Sequence, residues 1–127
     1  MVAGLAIGTA PQSHAAFVTT VQQVGPNVVA SGQGSFDLSA LTYQTSGNTT
    51  EAVIPFAAFL LLGYPVASFP FLDLYFGITG PSSFGPGGQT IANASGGDGV
   101  ALYGLPAILG EPGISVPLGY GSGTPLS

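Results

Sequence analysis

Glycine and proline occur so often along this chain that few helices can form. There are 21 glycines and 11 prolines among 127 residues, and the glycines follow no fixed period, which excludes a collagen triple helix. Both residue types disfavour the interior of a helix. Val, Ile, Thr, Phe and Tyr lie between clusters of Gly, Pro, Asn and Ser, a pattern typical of short strands joined by turns. The composition therefore predicts an all-β fold.

The chain contains no lysine and no arginine. An ordinary globular chain has about a quarter of its residues charged, whereas the charged residues here are five acids, which give a net charge of −5. Without cations the chain lacks the groups that neutralise nucleic-acid phosphates, so we expect no nucleic-acid partner. Schiff-base lysines, phosphate-loop lysines and arginine clamps are excluded as well.

The apolar content is high enough for one domain with its own core. Hydrophobic residues make up 46% of the chain, and the mean hydropathy is +0.54. Because there is no cysteine, disulfides and thiolate metal sites are excluded. Side-chain salt bridges would require His14 or the N-terminus as the cation. Apolar burial and backbone hydrogen bonds must therefore supply the stability.

Residues 1–15 have the pattern of a secretory leader that lacks its basic first part. A short apolar run is followed by Ser13, His14 and Ala15, which place small residues at positions −3 and −1 of a cleavage site. We interpret residues 1–15 as a signal-peptide remnant and residues 16–127 as a single β-rich domain. A flexible N-terminal arm of small residues is the alternative. If the leader is removed, the mature protein has no histidine.

Strand and turn patterns follow from Phe17 onward. Residues 17–24 and 28–31 read as two strands around a tight turn at Gly25, Pro26 and Asn27. Residues 34–41 alternate between apolar and polar side chains and predict a half-buried strand. Residues 43–51 read as a polar loop, and residues 80–88 as a loop rich in turns. Further strands are predicted in residues 69–77, 89–94, 100–105 and 113–116.

The most hydrophobic stretch is residues 52–62, which Pro55 interrupts. Eleven residues are too few to span a bilayer as a helix, so we predict no membrane span. A buried strand fits this stretch, and a short helix over residues 56–62 is the alternative that periodicity does not exclude. Together the strands, spaced about ten residues apart, favour an antiparallel β-sandwich or a jelly-roll-like fold.

Four stretches of the chain resemble secreted bacterial proteins of the PEP-CTERM sorting type. They are GITGPSSFGPGG at residues 77–88, ASGGD at residues 94–98, VPLGYGSGTPLS at residues 116–127 and VQQVGPNVVASGQG at residues 21–34. The resemblance covers most of the chain from about Val21, and the segment GPSSFG is its most specific part. It implies a protein of the bacterial cell surface or extracellular matrix, commonly in exopolysaccharide-producing or biofilm-forming organisms, and brings no established enzymatic activity.

The chain departs from that family in two respects. Family members continue past the Pro-Leu-Ser element through further strands to a Pro-Glu-Pro motif, an apolar helix and terminal arginines, none of which is present in these 127 residues. Sorting to a membrane therefore cannot be inferred. The domain also looks shortened, which predicts an open sheet edge and self-association into oligomers or fibrils, because the chain has no lysine to protect such an edge.

Residue types suited to catalysis are scarce. Without a mature histidine, cysteine or lysine, catalytic triads and Cys–His pairs cannot form. Two of the carboxylates of Asp37, Asp73 and Asp98 could serve in glycoside hydrolysis if the fold brought them together, but their spacing does not indicate this. We interpret them as solvated or turn-capping carboxylates and assign no catalytic residue and no cofactor-binding residue.

Two binding hypotheses remain open. Asp98 in SGGDG could bond to backbone amides in a turn, or it could form a weak Ca²⁺ site with Asn93 and carbonyl oxygens. Five tyrosines and eight phenylalanines could form a sugar-binding platform or could lie in the core. We therefore expect an exported, non-enzymatic structural protein that self-associates, with exopolysaccharide as a candidate partner. A carbohydrate- or calcium-binding module is the alternative, and a hydrolase with two carboxylates comes third.

Overall fold

A computed structural model describes residues 2–3, 16–48, 52–64, 71–104 and 111–127. The chain divides into two compact units. The first comprises Met1–Ser39 together with Gly121–Ser127, and the second comprises Ala40–Tyr120.

The first unit contains a three-stranded antiparallel sheet. Its strands are β1 (Val2–Ala3), β2 (Phe17–Val24) and β3 (Asn27–Gly34), in the order β1-β2-β3. Gly25 and Pro26 join β2 to β3 in a two-residue turn. Gly25 has a φ of 59°, and proline requires a φ near −65°, which together fit the type II′ turn that matches the twist of paired strands. The predicted strand–turn–strand arrangement is confirmed.

Residues 35–38 of this unit are not a strand, so the strand predicted over residues 34–41 is wrong. The N–H of Ser35 still donates to the carbonyl of Ala16, but the backbone groups of Phe36 and Leu38 bond to C-terminal residues. The N–H of Gly123 donates to the carbonyl of Phe36 at 2.8 Å, and the N–H of Leu38 donates to Ser122 Oγ at 2.8 Å. Phe36 stacks on Phe17 with ring centroids 4.9 Å apart, and Leu38 is buried. Phe36 and Leu38 are therefore partly or fully buried, although residues 35–38 do not form a strand.

The second unit contains a seven-stranded antiparallel sheet. Its order is β4-β7-β10-β9-β6-β5-β8. The strands are β4 (Thr42–Gly47), β5 (Ala52–Ile54), β6 (Phe59–Leu62), β7 (Leu72–Phe76), β8 (Thr90–Ile91), β9 (Val100–Tyr103) and β10 (Gly113–Pro117). Strands β5 to β10 lie in segments where strands were predicted, and residues 80–88 contain none.

The hydrophobic stretch at residues 52–62 forms two strands and not a helix. Strands β5 and β6 pair with each other and are joined by one 3₁₀ turn, Pro55–Ala57. Proline is favoured in the first turn of a helix, and Ala58 leaves the turn with a left-handed φ of 47°. The strand interpretation of this stretch is confirmed.

Strand β4 was not predicted, since residues 43–51 were read as a polar loop. It is a polar strand at the edge of the sheet and pairs with β7. Most of its residues are exposed, so it shows no apolar alternation from which a strand could be recognised. Residues 49–51 lie outside the described part of the chain.

The main buried cluster of the second unit lies on one face of its sheet, and Val100, Ile114 and Val116 are buried on the other face. Alternate residues Phe59 and Leu61 of β6 are buried, as are Leu72 and Leu74 of β7. Ala52, Ala57, Ala101 and Tyr103 complete the cluster. Strand β10, between β7 and β9, is buried over its first four residues, as expected for a central strand.

The predicted all-β, antiparallel fold class is confirmed, with one sheet in each unit. No helix in the described ranges is long and apolar enough to cross a membrane. The proposed leader lies mostly outside those ranges. Only Val2 and Ala3 are described there, paired with Thr20 and Thr19. The leader, its cleavage after Ala15 and the single-domain boundary at residue 16 stay predictions.

Candidate functional site

The carboxylate of Asp73 holds backbone and side-chain groups of neighbouring strands in place. Asp73 lies on β7 and is buried. It accepts hydrogen bonds from Ser46 Oγ at 2.6 Å and from the N–H of Gly119 at 2.8 Å. Ser46 Oγ also lies 3.0 Å from the hydroxyl of Tyr43. Asp73 thus connects β4 to the turn after β10, which is a structural role.

Asp37, in the first unit, forms a local turn. Its Oδ1 accepts the N–H of Ser39 at 2.9 Å, the short-range bond that Asp residues form in turns. Ser122 Oγ lies 3.4 Å from the same oxygen. The turn-capping interpretation therefore fits Asp37 directly, and it gives Asp37 a role that requires no substrate.

The candidate calcium ligands Asp98 and Asn93 both lie on exposed bends between β8 and β9. This loop approaches the end of β6 closely. The N–H of Tyr64 donates to the carbonyl of Gly97 at 3.1 Å, and Ser95 Oγ donates to the carbonyl of Gly63 at 2.7 Å. A side chain at Gly63, whose φ is 82°, would collide with the carbonyl oxygen of Asp98.

The charge of Asp98 acts on Tyr64. Partial burial, and after it the negative charge of Asp98, raise the pKa of the Tyr64 hydroxyl above its ordinary value. Within the described ranges no three His, Cys, Asp or Glu side chains are grouped as metal ligands. Calcium binding through Asp98 and Asn93 stays a prediction.

The aromatic residues divide between the core and the surface. Tyr103 packs against Phe59 in the core with centroids 5.1 Å apart, and burial raises the pKa of its hydroxyl, partly offset by a hydrogen bond with Ser115. The large aromatic side chains that are about half exposed are Tyr43, Phe56, Phe71 and Phe84. Some aromatic residues, such as Tyr103 and Phe59, therefore lie in the core, and others lie on the surface.

Phe56 and Phe84 are exposed on backbone segments that are bonded to each other. The N–H of Phe84 donates to the carbonyl of Pro55 at 2.7 Å, and the N–H of Phe56 donates to the carbonyl of Gly87 at 3.3 Å. Ser83 Oγ also lies 3.4 Å from the Pro55 carbonyl. The GPSSFGPGG segment is thereby fixed against the 3₁₀ turn, and each of the two presents one phenylalanine side chain to solvent.

Strand β3 forms an open edge of the three-stranded sheet. Gly34 exchanges backbone hydrogen bonds with Leu126, so its N–H and carbonyl point away from β2. In an antiparallel pair the direction of these groups alternates along the strand. Since β3 pairs with β2 without interruption, Gly32, Ala30 and Val28 also direct their N–H and carbonyl groups outward. In the described part of the chain no hydrogen bond reaches these three residues from outside the hairpin.

The β3 edge has none of the features that usually protect an edge strand. It has eight residues in continuous register with β2, without a bulge, a proline or a charged side chain. The valines near the turn are exposed, with Val28 at 73%, Val24 at 50% and Val29 at 41% of their surface.

The other sheet edges are protected in different ways. Strand β4 has a bulge between Tyr43 and Thr45. A bulge in an edge strand hinders the addition of a further strand. Strands β1 and β8 have two described residues each. Among the described edges, β3 is therefore the longest that an added strand could pair with.

An open edge was predicted from the sequence, but its location was not. The resemblance predicts exposure of whichever strand is covered in the family by the strands that follow the Pro-Leu-Ser element, and it does not name that strand. In the structure Leu126 forms a bridge to Gly34 of β3. The absence of charge and proline in residues 27–34 was the available sequence signal.

Comparison with models of known protein families, with curated proteins and with solved structures finds no match.

Proposed function

We propose that this chain is an exported, non-enzymatic structural protein of the bacterial cell surface or extracellular matrix, which self-associates through the β3 edge. The observation that carries the proposal is this uncharged strand of eight residues, whose outward backbone groups at Val28, Ala30 and Gly32 have no partner in the described structure. Strand addition to such an edge needs only main-chain hydrogen bonds and no specific ligand.

The distribution of charge supports self-association. The chain carries a net charge of −5, but residues 17–35, which include the whole β2–β3 hairpin, contain no charged side chain. Two hairpins can therefore approach each other without placing like charges in contact. Phosphate-binding and Schiff-base chemistry lack their cations, and the carboxylates of Asp37 and Asp73 already bond to the protein's own groups.

The proposed export is compatible with the hairpin. Cleavage after Ala15 would leave Ala16 as the first residue, directly before β2 begins at Phe17. Cleavage would keep the β2–β3 pairing and would remove β1, which pairs with Thr19 and Thr20 of β2. The surface or matrix location rests on the leader pattern and on the PEP-CTERM-like segments of the sequence.

A matched pair of lysine substitutions tests self-association through β3. Val28 and Gln23 are cross-strand partners on the same face, and both are exposed; Val28 lies on β3 and Gln23 on β2. We expect Val28→Lys to weaken self-association by about tenfold or more, because a charge on an edge strand opposes pairing. Gln23→Lys changes the net charge equally and should leave the association unchanged. Equal effects of the two substitutions, measured by light scattering at neutral pH, would contradict a role for the edge.

The second candidate function is a carbohydrate- or calcium-binding module, and the exposure of Phe56 and Phe84 favours its carbohydrate form. Aromatic side chains on a fixed backbone lose little conformational freedom on binding. Calorimetric titration with exopolysaccharides and with Ca²⁺ tests this function. Sugar-binding heat that disappears in Phe56→Ala and Phe84→Ala would support it, whereas no heat with either ligand would exclude it under those conditions.

A further inference from the structure

We infer that β1 covers the outer edge of β2, and that removal of this cover lets β2 of one copy pair with β3 of the next. This inference rests on the proposed function, since both require the open edge of β3. It adds the edge that is complementary to β3, the order in which copies follow one another, and a step that controls assembly.

Strand β2 has an outer edge of its own, on the side away from β3. Gly34 directs its backbone groups away from β2, and opposite residues of an antiparallel pair behave alike, so Phe17 directs its groups away from β3. The same outward direction recurs at every second residue of β2, which are Thr19, Val21 and Gln23. Like β3, β2 has eight residues in continuous register, without a bulge, a proline or a charged side chain.

Strand β1 lies on this edge near its middle. Ala3 is opposite Thr19, whose backbone groups point outward, so these two residues form a hydrogen-bonded pair. Val2 and Thr20 form the neighbouring pair, which is not hydrogen-bonded. Strand β1 thus pairs with only two of the eight residues of β2, and its effect depends on where those two residues lie.

A full contact between β2 and β3 of another copy requires the position that β1 occupies. The outward groups open to a partner on β3 belong to three alternate residues, Val28, Ala30 and Gly32. A strand that bonds to all three must offer three consecutive outward residues of its own. On β2 these are either Phe17, Thr19 and Val21, or Thr19, Val21 and Gln23. Both sets include Thr19, so its bond with Ala3 blocks the full contact in every register.

The side chains of β2 and β3 are suited to each other as neighbours. The two strands already pair over eight residues within the hairpin, where Gly32 lies opposite Thr19 and Ala30 opposite Val21. Small and β-branched side chains therefore alternate across this pair. A contact between two β3 strands would instead place Val28, Ala30 and Gly32 opposite one another, with less side-chain surface to pack.

Addition of β2 to β3 continues from copy to copy. The two strands of the hairpin run in opposite directions, and an antiparallel contact between β3 of one copy and β2 of the next keeps this alternation. Each added copy brings one used edge and one open edge. Head-to-tail contacts of this kind give filaments unless the rotation between copies closes a ring. No charged side chain lies in residues 17–35, so like charges do not meet at the contact.

The proposed cleavage after Ala15 would remove the cover, since β1 lies before that position. With β1 in place, β3 is open but the complementary edge of β2 is blocked at Thr19. After cleavage both edges of the hairpin are open in full. Filament growth is thereby delayed until the N-terminal segment is removed, which coincides with export.

Two proline substitutions in the 127-residue chain test the cover while residues 1–15 are still present. Ala3→Pro removes the N–H that bonds to Thr19, whereas the N–H of Val2 points away from β2, so Val2→Pro is the matched control. We expect Ala3→Pro to lower the concentration at which half of the chain is assembled by about tenfold, as the loss of one or two hydrogen bonds would. Val2→Pro should leave it unchanged. Sedimentation velocity at neutral pH measures assembly, and the intact mass confirms that residues 1–15 are present.

Gln23→Lys then tests whether β2 is the partner edge. Added to Ala3→Pro, it places a charge on the uncovered edge and should return the association to that of the unmodified chain. Equal association of the Ala3→Pro and Val2→Pro chains would overturn the cover and leave the proposed function intact. An Ala3→Pro chain that is insensitive to Gln23→Lys would overturn β2 as the partner edge. Monomers of every variant and of the unmodified chain would overturn this inference together with the proposed function.

Discussion

Gly34 and Leu126 bind each other through two backbone hydrogen bonds, one from each N–H to the other's carbonyl. This pair belongs to the first compact unit and is the one described point where another segment occupies the outer side of β3. It shows that this side of the strand is geometrically suited to an antiparallel partner. The same backbone directions recur at Gly32, Ala30 and Val28, which is why we place the self-association surface there.

The hydrogen bonds of Asp73 should contribute measurably to the stability of the second unit. Asp73→Ala removes the acceptor for both Ser46 Oγ and the N–H of Gly119, and we expect it to lower the free energy of unfolding by about 2–3 kcal/mol. Ser46→Ala removes one of the two donors and should cost about 1 kcal/mol. Urea denaturation measures both values. A loss for Asp73→Ala below about 0.5 kcal/mol, the range of ordinary surface substitutions, would contradict this role.

Burial of Tyr103 should make the stability fall at alkaline pH. Burial raises the pKa of its hydroxyl, so the folded chain keeps this proton where the unfolded chain has lost it. The resulting contribution to stability is complete below the unfolded pKa of about 10 and is lost as the pH rises through the folded pKa. Tyr103→Phe should flatten the decrease in unfolding free energy between pH 9 and 11, as measured by urea denaturation. An unchanged slope would show that Tyr103 does not couple to folding.

We expect cleavage after Ala15 when the chain is expressed with its upstream region in a bacterial host. The small residues Ser13 and Ala15 occupy the positions that signal peptidases require. Sequencing of the mature N-terminus measures the result, with Ala15→Leu as a variant that should block cleavage. An intact Met1 on protein from the cytoplasm would contradict the proposed leader.

The solubility of the chain should fall steeply in mild acid. Its charged residues are five acids and its pI is about 4.1, so the net charge of −5 disappears as the pH falls toward 4. Net charge keeps proteins dispersed, and no lysine or arginine restores charge at lower pH. We expect light scattering to rise between about pH 6 and 4 and not to recover below that range. Clear solutions throughout would show that uncharged polar groups maintain solubility.

The sequence predicted those elements that have a local signal. The β2–β3 hairpin was predicted because Gly25 and Pro26 specify a turn, and most strands of the second unit were predicted because apolar runs lie between glycines. Residues 35–38 were misassigned because the backbone groups of Phe36 and Leu38 bond to Gly123 and Ser122, which are distant in sequence. Strand β4 was missed because a polar edge strand has no apolar period.

The candidate sites also differ in how far residues close together in the sequence could predict them. Asp98 and Asn93 were selected by residue type, which does not determine whether oxygen ligands converge. The open edge was expected from the sequence in general, whereas its assignment to β3 depends on strand order and register, which are long-range properties of the fold.

Sedimentation velocity of the 127-residue chain at neutral pH, over about a hundredfold range of concentration, tests the central claim most directly. The account predicts a monomer at the lowest concentration that converts to larger species as the concentration rises. It also predicts that Ala30→Pro, which removes an outward N–H and leaves the pairing with β2 intact, keeps the chain monomeric throughout. A single monomeric species of the unmodified chain at every concentration would contradict self-association through β3.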